Sequence, residues 1–308
     1  MSLNLRFDSK NQTKFKFNAF RSCRWLIVLV TTFTVSCANI FEPASKKDTD
    51  EALYEDALKY LDASSWDSAI AKFNLLSDNY KLKTEVIENW AGAYAGKCGL
   101  IFSTYLSRLT GTNSGSTTAF KYFMNAFTGT TVDPQSCVLA ENKMKEITPT
   151  VSGRTASQSF FMLLLGMVKI GAILRFDGDR DSTSNLGDGS MDAGFDACTV
   201  NATDYTSDGQ LSDIDVTHII TGLGMVLENF AAVSASLSGG DIGTTISSIS
   251  TSCSGLNPNP CNISDPANVT PAMITAMRYM IHTTTGNPTI AIGIGGCTNG
   301  VIALCCGL

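Results

Sequence analysis

A chain of 308 residues with 44% hydrophobic content is long enough to bury a core of its own, as one large domain or two. The 22 basic and 28 acidic residues give a net charge of −6. Residues 1–36 hold six of the 22 basic and one of the 28 acidic residues, which leaves 16 against 27 beyond them, a net charge of −11. Such a surface has no basic footprint for nucleic acid and is repelled by anionic membrane surfaces.

The chain opens with Arg6, Lys10, Lys14, Lys16, Arg21 and Arg24, ahead of the uncharged run 25–36, which ends Thr34-Val35-Ser36-Cys37. A basic region, about a dozen apolar residues and a small-residue boundary form an export signal, too short for a stable membrane span. Because it ends at a cysteine, it resembles the lipobox of bacterial lipoproteins. That resemblance implies a signal peptide over 1–36, cleavage before Cys37, lipidation of its thiol and a tether over 37–47. Ala38 follows the cysteine where the inner-membrane retention signal has Asp, so the outer membrane is expected, on its periplasmic face or the cell surface.

Residues 48–308 read as a single helical domain. Thr49 or Asp50 caps a helix to about 62, Ser64-Ser65 breaks it, and a second helix follows from 66 to about 79. Leu53, Ala57, Tyr60, Trp66, Ala69, Phe73 and Leu76 fall on the apolar and small positions of a packed helix pair, with the two alanines at the closest approach. The pattern resembles one tetratricopeptide repeat, which implies an all-α helical-repeat bundle with a surface for a protein or peptide partner. One long helix is predicted over 84–109, a short one over 117–127 before Gly129, and another from the Asp133-Pro134 cap to Pro149. The most apolar stretch, 160–174, carries Lys169 as its one charge and is predicted to be the central buried helix.

Residues 176–215 form an acidic, glycine-rich insertion. In the run 204–215, oxygen-bearing side chains fall at positions one, three, five, nine and twelve (Asp204, Thr206, Asp208, Ser212, Asp215). Gly209 stands at the sharp bend, and Gln210 offers a backbone carbonyl at position seven. Calcium takes six to eight oxygens, and alternate residues of a tightly turned loop supply them. The run resembles the calcium loop of dockerins and EF-hands, which implies structural Ca²⁺. Asp177, Asp179, Asp181 and Asp188 make a second, poorer set, with Ser182 where the glycine belongs and with Asp188, Asp192 and Asp196 as alternative ligands. The competing reading is a solvated acidic loop in which Asp213 or Asp215 caps a helix.

Beyond it, a helix is predicted from 216 to about 236, an irregular region over 238–269, a helix over 270–283 and a charge-free tail that permits a strand at 290–294. Ten cysteines less Cys23 and Cys37 leave eight, an even number that reads as disulfides in an exported chain. Cys253 and Cys261 bracket a self-closing loop, so the C-terminal region is expected to be disulfide-stapled. His218 and His282 are the two histidines, and no GxSxG-like nucleophile motif accompanies them, so no enzyme is legible. The expectation is a lipid-anchored helical scaffold of the cell envelope with calcium in its central loops. The alternative is a transport-accessory lipoprotein holding a small ligand in a helical pore or groove.

Overall fold

A computed structural model describes residues 48–111, 118–180, 186–192, 195–201, 209–237, 241–282 and 292–295. The leader with Cys37 therefore lies outside the described residues, as do Asp181, Asp204, Thr206 and Asp208. The described chain is mostly helical.

Helix α1 (Asp50–Asp62) starts where the Thr49 hydroxyl accepts the Ala52 N–H, and Ser64, at φ 54°, turns the chain into α2 (Trp66–Leu75). Ala57 and Ala69 are fully buried at the contact of this hairpin, and Phe73 stacks on Trp90 at 5.8 Å. A one-turn helix α3 (Asp78–Lys81) then leads to α4 (Thr84–Cys98), which carries Trp90. Trp66 lies over Gly96, where any Cβ would fall 2.7 Å from the indole. This helical hairpin is set on α4.

The single helix expected over 84–109 is two. Gly99, at φ 118°, closes α4, with its N–H on Gly96 and the Leu100 N–H on Ala95. Glycine adopts that conformation without the steric cost a Cβ brings. Helix α5 (Phe102–Gly111) follows, then α6 (Ala119–Asn125) and α7 (Pro134–Ile147), which is capped by Asp133 as expected. A disulfide joins Cys98, at the end of α4, to Cys137 in α7.

The central helix α8 (Ala156–Gly178) exceeds its predicted length because Thr155 and Gln158 form a capping box upstream and polar residues are buried at its far end. Every residue from Met162 to Arg175 is buried. Its closest neighbour is α9 (Asp213–Leu237), and the two backbones meet at Gly166 and Gly222. A Cβ on Gly166 would lie 2.9 Å from the Gly222 carbonyl oxygen. Both helices are long and apolar enough to cross a membrane, but 83% of the α8 window is buried within the protein. It is a core helix.

The described parts of the acidic insertion include regular structure. Helix α8 runs through its first residues, α9 takes its last ones, and β1 (Asp196–Asn201) pairs in parallel with β2 (Gln210–Ser212) between them. The irregular region expected over 238–269 contains α10 (Asp241–Ser254) and a 3-10 turn, Pro266–Asn268. Two things make α10 possible despite its serines and threonines. Ile242, Ile246, Ile249 and Cys253 recur at helical spacing and are buried. The hydroxyls of exposed Ser248 and Thr251 and of buried Ser252 donate to carbonyls four residues back, which satisfies them within the helix. Cys253 is joined to Cys261, with Cα atoms 5.8 Å apart. Helix α11 (Pro271–His282) closes the body, and residues 292–295 thread between α6 and α11: Phe120 donates to Ile292, and Ile294 donates to Ile281.

Candidate functional site

The acidic insertion uses its described carboxylates as staples for backbone. Asp177 is buried in the last turn of α8. Asp179, which ends the helix and is fully buried, accepts the Asp188 N–H on Oδ1 and the Gly189 N–H on Oδ2, both at 2.9 Å. Burial pushes its carboxyl up, and the two N–H groups only partly offset that. Gly187, at φ 64°, lets the chain close over Asp179, since a Cβ there would strike that carboxylate at 2.8 Å. Asp188 is exposed and accepts the Ser190 N–H, while Asp192 accepts the Arg180 N–H. The ligand atoms of Asp177, Asp179 and Asp188 are not gathered within 4.8 Å of one another. Asp181, the fourth of that set, lies outside the described residues.

The second loop is described only in its exit half. Gly209 takes the left-handed conformation (φ 85°) that its place at the bend requires. Gln210 opens β2, Ser212 ends it, and Ser212 and Asp215 cap α9 reciprocally. The Ser212 N–H and hydroxyl both donate to Asp215 Oδ2, at 3.0 and 2.6 Å, and the Asp215 N–H donates to Ser212 Oγ at 3.0 Å. Positions nine and twelve of a calcium loop are also the N-cap and third residue of its exit helix. The cap therefore belongs to both readings of this stretch. Asp213 serves elsewhere: Arg278 of α11 reaches its carboxylate at 2.7 Å and the Ala197 carbonyl of β1 at 2.8 Å, tying strand and helix together.

A second polar cluster sits inside the body. The Lys169 ammonium, fully buried on α8, donates to Glu141 of α7 and, at 3.0 Å, to Thr221 Oγ1 of α9. The other Glu141 oxygen takes Lys145 at 2.6 Å. Burial alone would raise the Glu141 carboxyl, but the two lysines hold it below the usual carboxylate range. Burial pulls Lys169 below its ordinary value against the attraction of Glu141. Burial, with the Lys169 charge adding to it, takes His218 down to about 4. Gly222 contributes room, since a Cβ there would lie 3.2 Å from Lys169 Cε. Lys169 stands out in the sequence as a lone charge, but its partners lie on helices 28 and 52 residues away.

A groove of 520 Å³ lies between α9 and α10. Leu227, Phe230 and Ile246 make its apolar part, while Ser234, Ser247, Ser250, Thr251 and Asn262 supply polar groups. It lies next to the Cys253–Cys261 loop, and the periodicity of α9 does not point to it, because the serines and threonines of α10 hide the groove's other wall. Set against family models, curated proteins and solved structures, the chain matches none.

Proposed function

We propose that the protein is a non-catalytic, lipid-anchored helical scaffold of the bacterial cell envelope, held at the outer membrane through Cys37, that receives a protein or peptide segment between α9 and α10. The observation that carries this reading is the contrast between a closed centre and an open flank. Helix α8 is walled in by protein along its length, whereas the α9–α10 groove offers apolar and hydroxyl groups side by side. Cysteines at disulfide distance suit an exported chain. Calcium is part of the proposal for the second acidic loop alone, where Asp204, Asp208 and Asp215 would otherwise repel one another. The first set stands apart, because the Asp179 carboxylate already holds two backbone N–H groups. A second reading, a small ligand carried for a transporter, draws support from the groove's volume, which falls in the range of small-molecule sites.

A photo-crosslinking residue in place of Ser247, in the membrane-bound chain, tests both. An adduct of protein or peptide mass is expected, and a small-mass adduct would favour the ligand reading. Ala231→Trp, which fills the groove, should abolish either. An adduct that persists in Ala231→Trp with its helical circular dichroism intact, or that forms equally from a probe at Asp62, overturns the groove as the docking site. Cys37→Ser should leave an unprocessed precursor or release the chain from membranes; an unmodified N-terminus at another residue in the mature parent, read by mass spectrometry, would overturn the lipid anchor.

A further inference from the structure

Asp196, Cys198 and His282 each place one ligand atom so that all three lie within 4.8 Å of one another. They come from two elements, the start of β1 and the last residue of α11. The contact is clamped. Arg278, one turn before His282, donates to the carbonyl of Ala197, the residue between the other two. Asp196 Oδ1 accepts the Cys198 N–H at 2.9 Å, which fixes the carboxylate against the cysteine.

His282 is the independent pointer to a ligand. The residue is 8% exposed and its Nδ1 makes no hydrogen bond. A buried imidazole nitrogen with no hydrogen-bond partner, beside a carboxylate and a sulfur, is suited to binding a metal. Cys198 is engaged in a disulfide whose partner lies outside the described residues. A disulfide sulfur is not a thiolate, so in this state the set lacks its anionic sulfur ligand.

We propose that Asp196, Cys198 and His282 form a redox-gated site for a borderline transition metal of the zinc type, closed by the Cys198 disulfide and opened by a dithiol reductant. The dithiol passes two electrons and two protons to the disulfide and becomes a disulfide itself, leaving Cys198 and its former partner as thiols. The metal then bonds Cys198 Sγ, and the thiol proton leaves to solvent. One sulfur, one nitrogen and one oxygen suit Zn²⁺ or Co²⁺ and do not suit the all-oxygen preference of Ca²⁺. Three protein ligands leave a fourth tetrahedral position for water.

Cobalt is the probe, because its thiolate charge-transfer band reports sulfur ligation directly. The full chain is reduced with a phosphine under anaerobic conditions, freed of reductant and titrated with Co²⁺. A band saturating at one equivalent is expected in the reduced chain and absent from the oxidised one, and Zn²⁺ should bleach it. Cys198→Ser should remove it, and His282→Gln or Asp196→Asn should weaken cobalt affinity at least tenfold. If His282→Gln fails to fold, Asp196→Asn gives the same reading. No band in the reduced chain overturns the site, as does one that survives in Cys198→Ser, where the other liberated thiols would be its source. An equal band in the oxidised chain overturns the gate. A reduced chain that loses its helical circular dichroism before metal is added also counts against it, because the site needs β1 and α11 together.

Discussion

Replacing Glu141 by glutamine keeps the side chain's volume and an acceptor but leaves the Lys169 ammonium without its countercharge at a position of zero exposure. Breaking a buried pair by removing one partner costs about 3–5 kcal/mol, because an uncompensated charge remains in the interior. A domain holds only about 5–15 kcal/mol in all. At about 2–4 °C per kcal/mol for a chain of this size, the melting temperature should fall by roughly 10 °C. Lys169→Met should cost less, since Glu141 keeps Lys145 at 2.6 Å and that lysine reaches solvent. The double variant Glu141→Met, Lys169→Met should lie within about 1 kcal/mol of the parent or above it, because well-packed apolar residues replace a buried pair at little cost. Urea unfolding of the parent, Glu141→Met, Lys169→Met and the double variant gives the cycle, with an expected coupling above about 2 kcal/mol. The Glu141→Gln deficit should shrink as pH rises. Lys169 in the folded variant gives up its proton before the unfolded chain does, so the unfolded state binds more protons and alkali favours folding. A cost below about 1 kcal/mol for Glu141→Gln, or strict additivity in the double variant, would refute this account of the cluster.

Three further outcomes are expected. His218, at about 4 in the folded state against 6.5 unfolded, should make stability fall as pH drops from 6.5 towards 4, by about 3 kcal/mol at most; in His218→Gln that slope should vanish from urea midpoints at pH 7 and 4.5. Gly166→Val should destabilise by about 1–3 kcal/mol in thermal unfolding, because its Cβ meets the Gly222 carbonyl oxygen at 2.9 Å and α8 cannot move off α9 without opening the core. Millimolar calcium should raise the melting temperature of the parent and leave Asp208→Ala unmoved, whereas Asp179→Ala should be destabilised equally with and without calcium; no shift in the parent would end the calcium proposal.

Much of the helical layout is legible locally. Thr49 and Asp133-Pro134 cap their helices within three residues, so α1 and α7 begin where the sequence places them. The uniform hydropathy around Lys169 is enough to make α8 a core helix. Cys253 and Cys261 are close in sequence and close a short loop. The bend at Gly209 and the Ser212–Asp215 cap are equally local, although they serve a calcium loop and a plain helix start alike.

Tertiary structure decided the rest. A glycine reads as one more small residue in the 84–109 pattern until Phe127 and Val132 are seen packed where its Cβ would point and the chain turns left-handed at Gly99. Serine and threonine lower the helical signal of α10, and four apolar residues at helical spacing restore it only when α9, α5 and α6 give them something to cover. The partners of Lys169, the bond between Cys98 and Cys137 and the meeting of Asp196 and Cys198 with His282 join residues 28 to 86 positions apart. Capping and periodicity act over one or two helical turns and are written in adjacent residues. Charge pairing and ligand clusters depend on which helix faces cross, and that is fixed by the packing of the whole core.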